Sequence, residues 1–293
     1  MTDARTICKA LGGRWHGGYG LSFCPRHENT KTPALSIKDS DDGRLLVYCH
    51  AGCAGADVLA ALRARGLLEG RSDWKPDPRE IERRTAEQEA ERRRRIQLAR
   101  WCWSEAGSIT GTLAERYLRA RGITCPLPPS LRFHPRCWHG PTAAKAPALV
   151  SAVVIDRVLV GIHRTYLAEP GVKAFGDNAK LMLGRCAGGA VRLSDGAGAL
   201  LVAEGIETGL SLLSGITDTH LRTWSALSTS GVAGLILPRE PGEMVLAPDG
   251  DRPGREAARK LADRASAARW RVRVMDCPDG RDWNDEWIEE LAG

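Results

Sequence analysis

Two short pairs of soft metal ligands near the N-terminus constrain this chain more than anything else in it: Cys24-Pro-Arg-His27 and, beyond residues 28–48, Cys49-His-Ala-Gly-Cys53. Thiolate and imidazole together suit tetrahedral zinc, which has no redox chemistry of its own. Two pairs on two turns fill the coordination sphere. The expected site therefore holds one structural zinc on Cys24, His27, Cys49 and Cys53, with no open position for a reacting water. The second pair is C-x3-C rather than the commoner C-x2-C, and Cys8, His16 and His50 lie near enough in sequence to substitute. Nine cysteines, an odd number spread over 293 residues, fit ligation and burial better than a disulfide framework.

The metal sets the organisation around it. Residues 1–69 carry short strand-like runs, ALSI and LLVY, with the turn signal Asp42-Gly43 between them, and a helix over 57–65 with Asp57 as its cap and Gly66 as its left-handed stop. So small a module has little core, and zinc contributes to its folding in any case. Pro76 and Pro78 interrupt regular structure after Glu69, which marks residues 70–110 as a linker followed by a charge-dense helix from about Arg79 to Ala106. Thr112 and Glu115 form a capping-box pattern opening the next helix, after which a proline-rich loop is expected to run to Pro147. ALVSAVVI and VLVGIHRTYL read as a hairpin about Asp156 and Arg157, so residues 111–197 form a mixed subdomain with a basic connection.

From residue 198 onward the pattern alternates strand and helix: ALLVAEG, a helix over 207–213, TWSAL, a helix over 232–236, MVLAPD, a helix over 255–269, RVRVMD and a helix over 284–291. That alternation predicts a mostly parallel sheet flanked by helices, and an α/β (α+β overall) chain once the zinc-ribbon-like module is included. Acidic residues fall at the expected strand ends: Glu204, Asp249, Asp251, Asp282 and, close by, Asp285. Ligand sites in such sheets gather beyond the carboxyl ends of the strands. A few carboxylates with room for retained water and phosphate suit magnesium or manganese. Asp249 and Asp251, two residues apart after a buried strand, repel one another unless a cation intervenes.

Other chemistries lose support. The sequence has no Walker A motif, no G-x-G-x-x-G after a strand and no H-E-x-x-H, against P-loop hydrolysis, dinucleotide binding and zinc-peptidase activity. No apolar run is long enough to span a bilayer and the N-terminus lacks a secretory profile, so a cytoplasmic protein without membrane partners is expected. The formal charge of +6 favours phosphate-bearing partners without demanding them.

At these residues the sequence resembles the Toprim superfamily, in which one strand ends in Glu-Gly and a later one in Asp-x-Asp; here these are Glu204-Gly205 and Asp249-Gly250-Asp251. The N-terminal pairs, followed by Gly55-Ala56-Asp57 and a helix, resemble the zinc-binding domain of bacterial and phage primases. The order of modules is that of bacterial-type primases, and EGIET and DWND most resemble proteins of phages and mobile elements. The resemblance implies a DNA primase, a nucleotidyltransferase that makes short RNA primers on single-stranded DNA from nucleoside triphosphates. It also implies a Toprim domain over 198–293, magnesium on Glu204, Asp249 and Asp251, and Asp282 in the catalytic set. A basic surface from Arg164, Lys173, Lys180 and Arg185 would guide template and nucleotides. Arg252 and Arg255, just past the second acidic motif, would meet the triphosphate. Bacterial replicative primases carry an aspartate where this chain has Thr208; either Glu207, one position earlier, substitutes for it or that metal contact is missing. The third motif reads Asp282-Trp283-Asn284-Asp285. No helicase-docking domain is expected after Gly293, and a replicative helicase supplied in trans is an expected partner. A Toprim-type nuclease, and a non-catalytic zinc and Toprim recombination mediator, are the alternatives.

Overall fold

The computed structural model describes residues 3–27, 32–40, 44–68, 78–217 and 220–292; the side chains of residues 78–81, 84 and 85 are outside the description. The Asp42-Gly43 turn and the linker signal of residues 69–77 with Pro76 lie outside the described residues. The chain divides into two compact units, Met1–Pro78 and Arg79–Gly293.

In the first unit, Asp3 caps α1 (Ala4–Ala10) by accepting from Thr6 N at 2.7 Å. Four antiparallel strands follow in sequential order, β1 (Arg14–Trp15), β2 (Gly20–Ser22), β3 (Leu35–Asp39) and β4 (Leu45–Cys49), and then α2 (Gly55–Ala64). Leu35 and Ile37 alternate inward from β3 and meet Ile7 and Cys8 of α1 and Val58 and Leu62 of α2, a small closed core. Helix α2 begins two residues before its expected start, with Ala54 at the cap and Asp57 in the first turn; Gly66 does take the left-handed conformation, at φ +67°.

The second unit opens on α3 (Pro78–Glu105). Pro78 therefore starts a helix instead of interrupting one, because the first helical position needs no N–H donor. Ala99 and Cys102 of α3 pack on one face of an antiparallel sheet. That sheet comprises β5 (Leu131–His139), β6 (Ala144–Ile155), β7 (Val158–Ala168) and the short β8 (Val172–Lys173), with β9 (Lys180–Gly184) also pairing β7. Helix α4 (Leu113–Arg119) packs on the opposite face. Its expected capping box is only half formed: Glu115 accepts from Gly111 N at 2.7 Å, while the Thr112 hydroxyl donates to Ile109 O. The proline-rich loop expected up to Pro147 is replaced by β5. Pro135 is tolerated there because the β5–β6 register shifts between His134 and Cys137, so the missing N–H falls at a bulge.

The C-terminal sheet has the order β10 (Val191–Arg192), β12, β11 (Leu200–Ala203), β13, β14, with all but β10 parallel. Helix α5 (Ile206–Ser211) leads from β11 to β12 (Arg222–Ser225), α6 (Thr229–Gly234) to β13 (Glu243–Ala247), and α7 (Arg252–Ala267) to β14 (Arg271–Val274); α8 (Trp283–Ala292) closes the chain. Strand β11 is buried along its whole length. Leu200 and Val202 point to α7, while Leu201 and Ala203 point to the Trp283 side, as a central parallel strand covered on both faces requires. The chain leaves β11 toward β12 but leaves β13 toward β14, so the topological switch point lies between β11 and β13.

Candidate functional site

Strands β2 and β4 both run antiparallel to β3, so their carboxyl ends share one edge of the sheet. Cys24 and His27 follow β2, and Cys49 ends β4 with Cys53 in the turn before α2. The ligand atoms of these four residues lie within 4.8 Å of one another. The Nδ1 atom of His27 is 3.2 Å from Cys53 Sγ and 3.9 Å from Cys49 Sγ. Tetrahedral zinc, with bonds of about 2.0–2.3 Å, spaces its ligands roughly 3.3–3.8 Å apart, a range that the two His27 separations bracket. The three alternatives are committed elsewhere: Cys8 is in the core, His16 stacks on Tyr19 and His50 meets the Ser36 hydroxyl at 2.8 Å.

At the switch point, Ala203 pairs with Ala247, so Glu204 and Asp249 both stand just past the carboxyl ends of two adjacent strands. Gly250 packs so tightly that a Cβ there would stand 1.8 Å from Pro278 O, which makes glycine obligatory between Asp249 and Asp251. Three helix N-termini face the carboxylates. Glu204 accepts from the backbone of Thr229 at the start of α6. Asp251 accepts from Gly254 N of α7 at 2.7 Å. Asp282 Oδ1 accepts from Asn284 N and Asp285 N of α8 at 2.8 and 2.9 Å. Asp249 has no such donor: its Oδ1 is buried without a partner. Burial, followed by the charges of Glu204, Asp282 and Asp251, pushes Asp249 up to about 7. Burial and Asp251 raise Glu204 as well. A buried, unpartnered carboxylate oxygen among other carboxylates is a fitting ligand for a divalent cation. The carboxylates are more loosely gathered than the N-terminal quartet, which is the only group of three or more His, Cys, Asp or Glu drawn within 4.8 Å among the described residues.

Cations border the acids on one side. Lys180 Nζ is 3.0 Å from each carboxylate oxygen of Glu207, which also accepts from the Tyr117 hydroxyl at 2.6 Å. Burial opposes ionisation of Glu207 but is outweighed by Lys180 and Tyr117, so its pKa falls. Glu207 thus points away from the acidic cluster and serves Lys180. Lys173 is exposed at its tip yet crowded by protein, and burial followed by Lys180 lowers its pKa. Burial, then Lys180, holds His163 down to about 4, a neutral imidazole whose Nδ1 has no partner. Asn284 is also committed, donating to Arg121 O and the Ser211 hydroxyl at 2.9 and 2.8 Å. Asp285 is exposed at the head of α8, where it accepts from Asp282 N at 3.4 Å.

Arg164 and Arg185 do not join this surface, and Arg252 and Arg255 are engaged in ion pairs of their own. Arg164 alternates to the α3 face of the sheet, is buried, and donates to Trp138 O at 3.0 Å. Arg185 follows the far end of β9, about 16 Å along the strand from Lys180. Arg252 pairs with Glu256 at 2.8 Å and Arg255 with Asp279 at 2.6 Å. The Glu207–Lys180 pair had no local sequence signal, because its members are far apart in the chain and meet only through the packing of α5 on the antiparallel sheet.

The raised Asp249 pKa has a measurable consequence. Without a divalent cation the folded protein keeps this proton up to about pH 7, whereas the unfolded chain releases it near 3.8. The folded state binds more protons between those values, so this group's contribution to stability falls as pH rises from about 4 to about 7. Without added divalent cation, Asp249→Asn should gain about 1–2 kcal/mol over wild type at pH 8 and little at pH 4, after discounting for partial exposure. Urea unfolding of the two proteins across that range checks it; a pH-independent difference would contradict the assignment. Adding magnesium or manganese should narrow the gap at pH 8.

Comparison with known proteins places two families on the chain. Residues 93–193 match a domain of unknown function (DUF7146), and residues 199–293 match the Toprim domain. No curated protein matches the chain. Among solved structures, the chain is similar to the zinc-binding and RNA polymerase domains of the Aquifex aeolicus primase, at 15% identity and TM-score 0.43, over 98% of this chain and 79% of that one. It is also similar to the primase fragment of the bacteriophage T7 primase-helicase protein, at 12% identity and TM-score 0.37, over 93% and 100% of the two chains. A third is the RNA polymerase domain of the Mycobacterium tuberculosis primase, at 17% identity and TM-score 0.38, over 66% and 77%.

Proposed function

Residues 199–293 being a Toprim domain, we propose that the chain is a DNA primase that joins ribonucleotides into short primers on single-stranded DNA. The observation that carries the reading is the buried, unpartnered Asp249 carboxylate beside Glu204 and Asp251 at the switch point of the sheet. Glu204, Asp249 and Asp251 hold a divalent cation such as magnesium, with Asp282 beside them. When bound, that cation stabilises charge on the attacking and leaving oxygens of a phosphoryl transfer. The 3'-hydroxyl oxygen forms a bond to the α-phosphorus of the incoming nucleotide, the bond to the β-phosphate oxygen breaks, and pyrophosphate leaves. Glu204, whose pKa is raised by burial, is suited to take the hydroxyl proton. Lys173 and Lys180 attract the phosphates, and Glu207 fixes the direction of Lys180. One structural zinc on Cys24, His27, Cys49 and Cys53 holds the first unit together.

Incubation of the protein with single-stranded template, four ribonucleotides and magnesium should yield short RNA. Cut template would favour the nuclease reading, and neither product the non-catalytic one. Template binding should weaken steeply with salt as phosphate counterions are released. Lys173→Glu is the clean probe of that surface, because Lys180→Glu would also leave Glu207 buried without its partner and destabilise the fold. Lys173→Glu should weaken binding on all sequences and flatten the salt slope by about one unit. An unchanged slope in filter-binding assays would remove the residue from the interface.

A further inference from the structure

A second cavity, of about 330 Å³, opens at the β10 edge of the C-terminal sheet. Arg157, Arg192 and Arg222 line it with Trp224. Arg222 pairs with Leu200, at the amino end of β11, whereas Glu204 follows that strand's carboxyl end, about 13 Å away along the strand. The cavity is thus separate from the acidic site.

The three guanidiniums come from three different segments, and none is held by a carboxylate. Among the described residues none forms an ion pair within 4.0 Å. Asp156 and Asp195 also line the cavity without closing on them, leaving three cations against two anions. Arg192 lies 4.9 Å over the Trp224 ring, and its Nε is buried with no acceptor. A buried guanidinium donor without an acceptor is costly unless something fills the space. Burial lowers the Arg192 pKa, with Asp195 opposing and Arg157 adding to the shift. Arg157 is held at φ +66° in the two-residue β6–β7 turn, where glycine would be cheaper, so the turn gives up stability to carry this side chain.

The geometry points to a second ligand site here, for a phosphate-bearing small molecule of mononucleotide size. Planar guanidiniums match phosphate oxygens with paired donors. Leu235, Ile236 and Pro238 supply an apolar wall for a base, and the volume is at the lower end of ligand pockets. A nucleic-acid strand would need an extended run of cations, whereas these three gather about a single cavity. The inference does not depend on primer synthesis.

Calorimetric titration of the full chain with ADP, inorganic phosphate and a thymidine decanucleotide, all without added magnesium or manganese so that a metal-dependent site stays silent, tests it. ADP should bind saturably, and Arg157→Gln with Arg222→Gln should weaken it at least about tenfold. Removing the same charge from the exposed surface of α7, with Arg259→Gln and Lys260→Gln, should leave binding intact. Because Arg222 Nε also donates to Gly198 O at 3.2 Å, Arg157→Gln alone, on an exposed turn, guards against loss of fold and should still weaken binding. No saturable ADP binding up to about 10 mM, or binding unchanged in both variants, overturns the site. Phosphate binding as tightly as ADP overturns the nucleotide-sized ligand in favour of a bare anion. Binding of the decanucleotide alone, lost in the variants, overturns it in favour of a strand.

Discussion

Replacing Asp249 and Asp251 together by Asn is expected to lower nucleotide joining by about a thousandfold or more, equivalent to about 4 kcal/mol of lost transition-state stabilisation. The fold should survive. Asn caps a helix as well as Asp does, so the bond from Gly254 N that starts α7 persists. Neutralising Asp249 removes a buried carboxylate that repels its neighbours, so stability should hold or rise. Single-strand binding should be at least as tight, because two negative charges near the phosphates are gone. Single-turnover primer extension, read beside circular dichroism and a binding isotherm, separates the outcomes. Near wild-type extension would place the active site elsewhere, and loss of the fold would make the two aspartates structural.

The second large effect belongs to the other unit. Cys49→Ser or Cys53→Ser should reduce bound zinc from one per chain to none and unfold the first unit, while the second unit stays folded. Structural zinc supplies about 10–16 kcal/mol of apparent binding free energy in small domains. A core of Ile7, Leu35, Ile37, Val58 and Leu62 cannot replace that amount. Hydrogen exchange followed by peptide mapping reads the two units separately. Full protection of β3 and β4 in the zinc-free variant would show a module that folds without metal.

How far the molecule could be read beforehand depended on whether the controlling interaction was local. Four soft ligands in two pairs restrict the chain by spacing alone, and the structure brings them within 4.8 Å. Acidic residues directly after apolar runs stand at strand ends whatever the wider topology, so Glu204 and Asp249 could be paired in advance. Strand β5 could not, because Pro135 disguises it and only a register shift against β6 admits the proline. The basic residues were harder still. Alternation separates Arg164 from His163 by face, but which face meets α3 and which meets α5 is a matter of tertiary packing. Glu207 reads locally as one more acid beside the motif, and only Lys180 and Tyr117, both remote in sequence, turn it inward.

The three helix starts that face the carboxylates carry an evolutionary consequence. Asp251 and Asp282 each begin a helix, so a relative without the proposed catalysis would still be under pressure to keep an Asp, Asn, Ser or Thr at those positions. Glu204 also accepts from the backbone of Thr229, although Ser228 is the cap of α6. Asp249 has no comparable employment, and its charge works against the fold. Drift would therefore erase it first. In a future set of relatives, the residue at position 249 should be the one that tells living active sites from relics, whereas retained acids at 251 and 282 would testify only to intact helices.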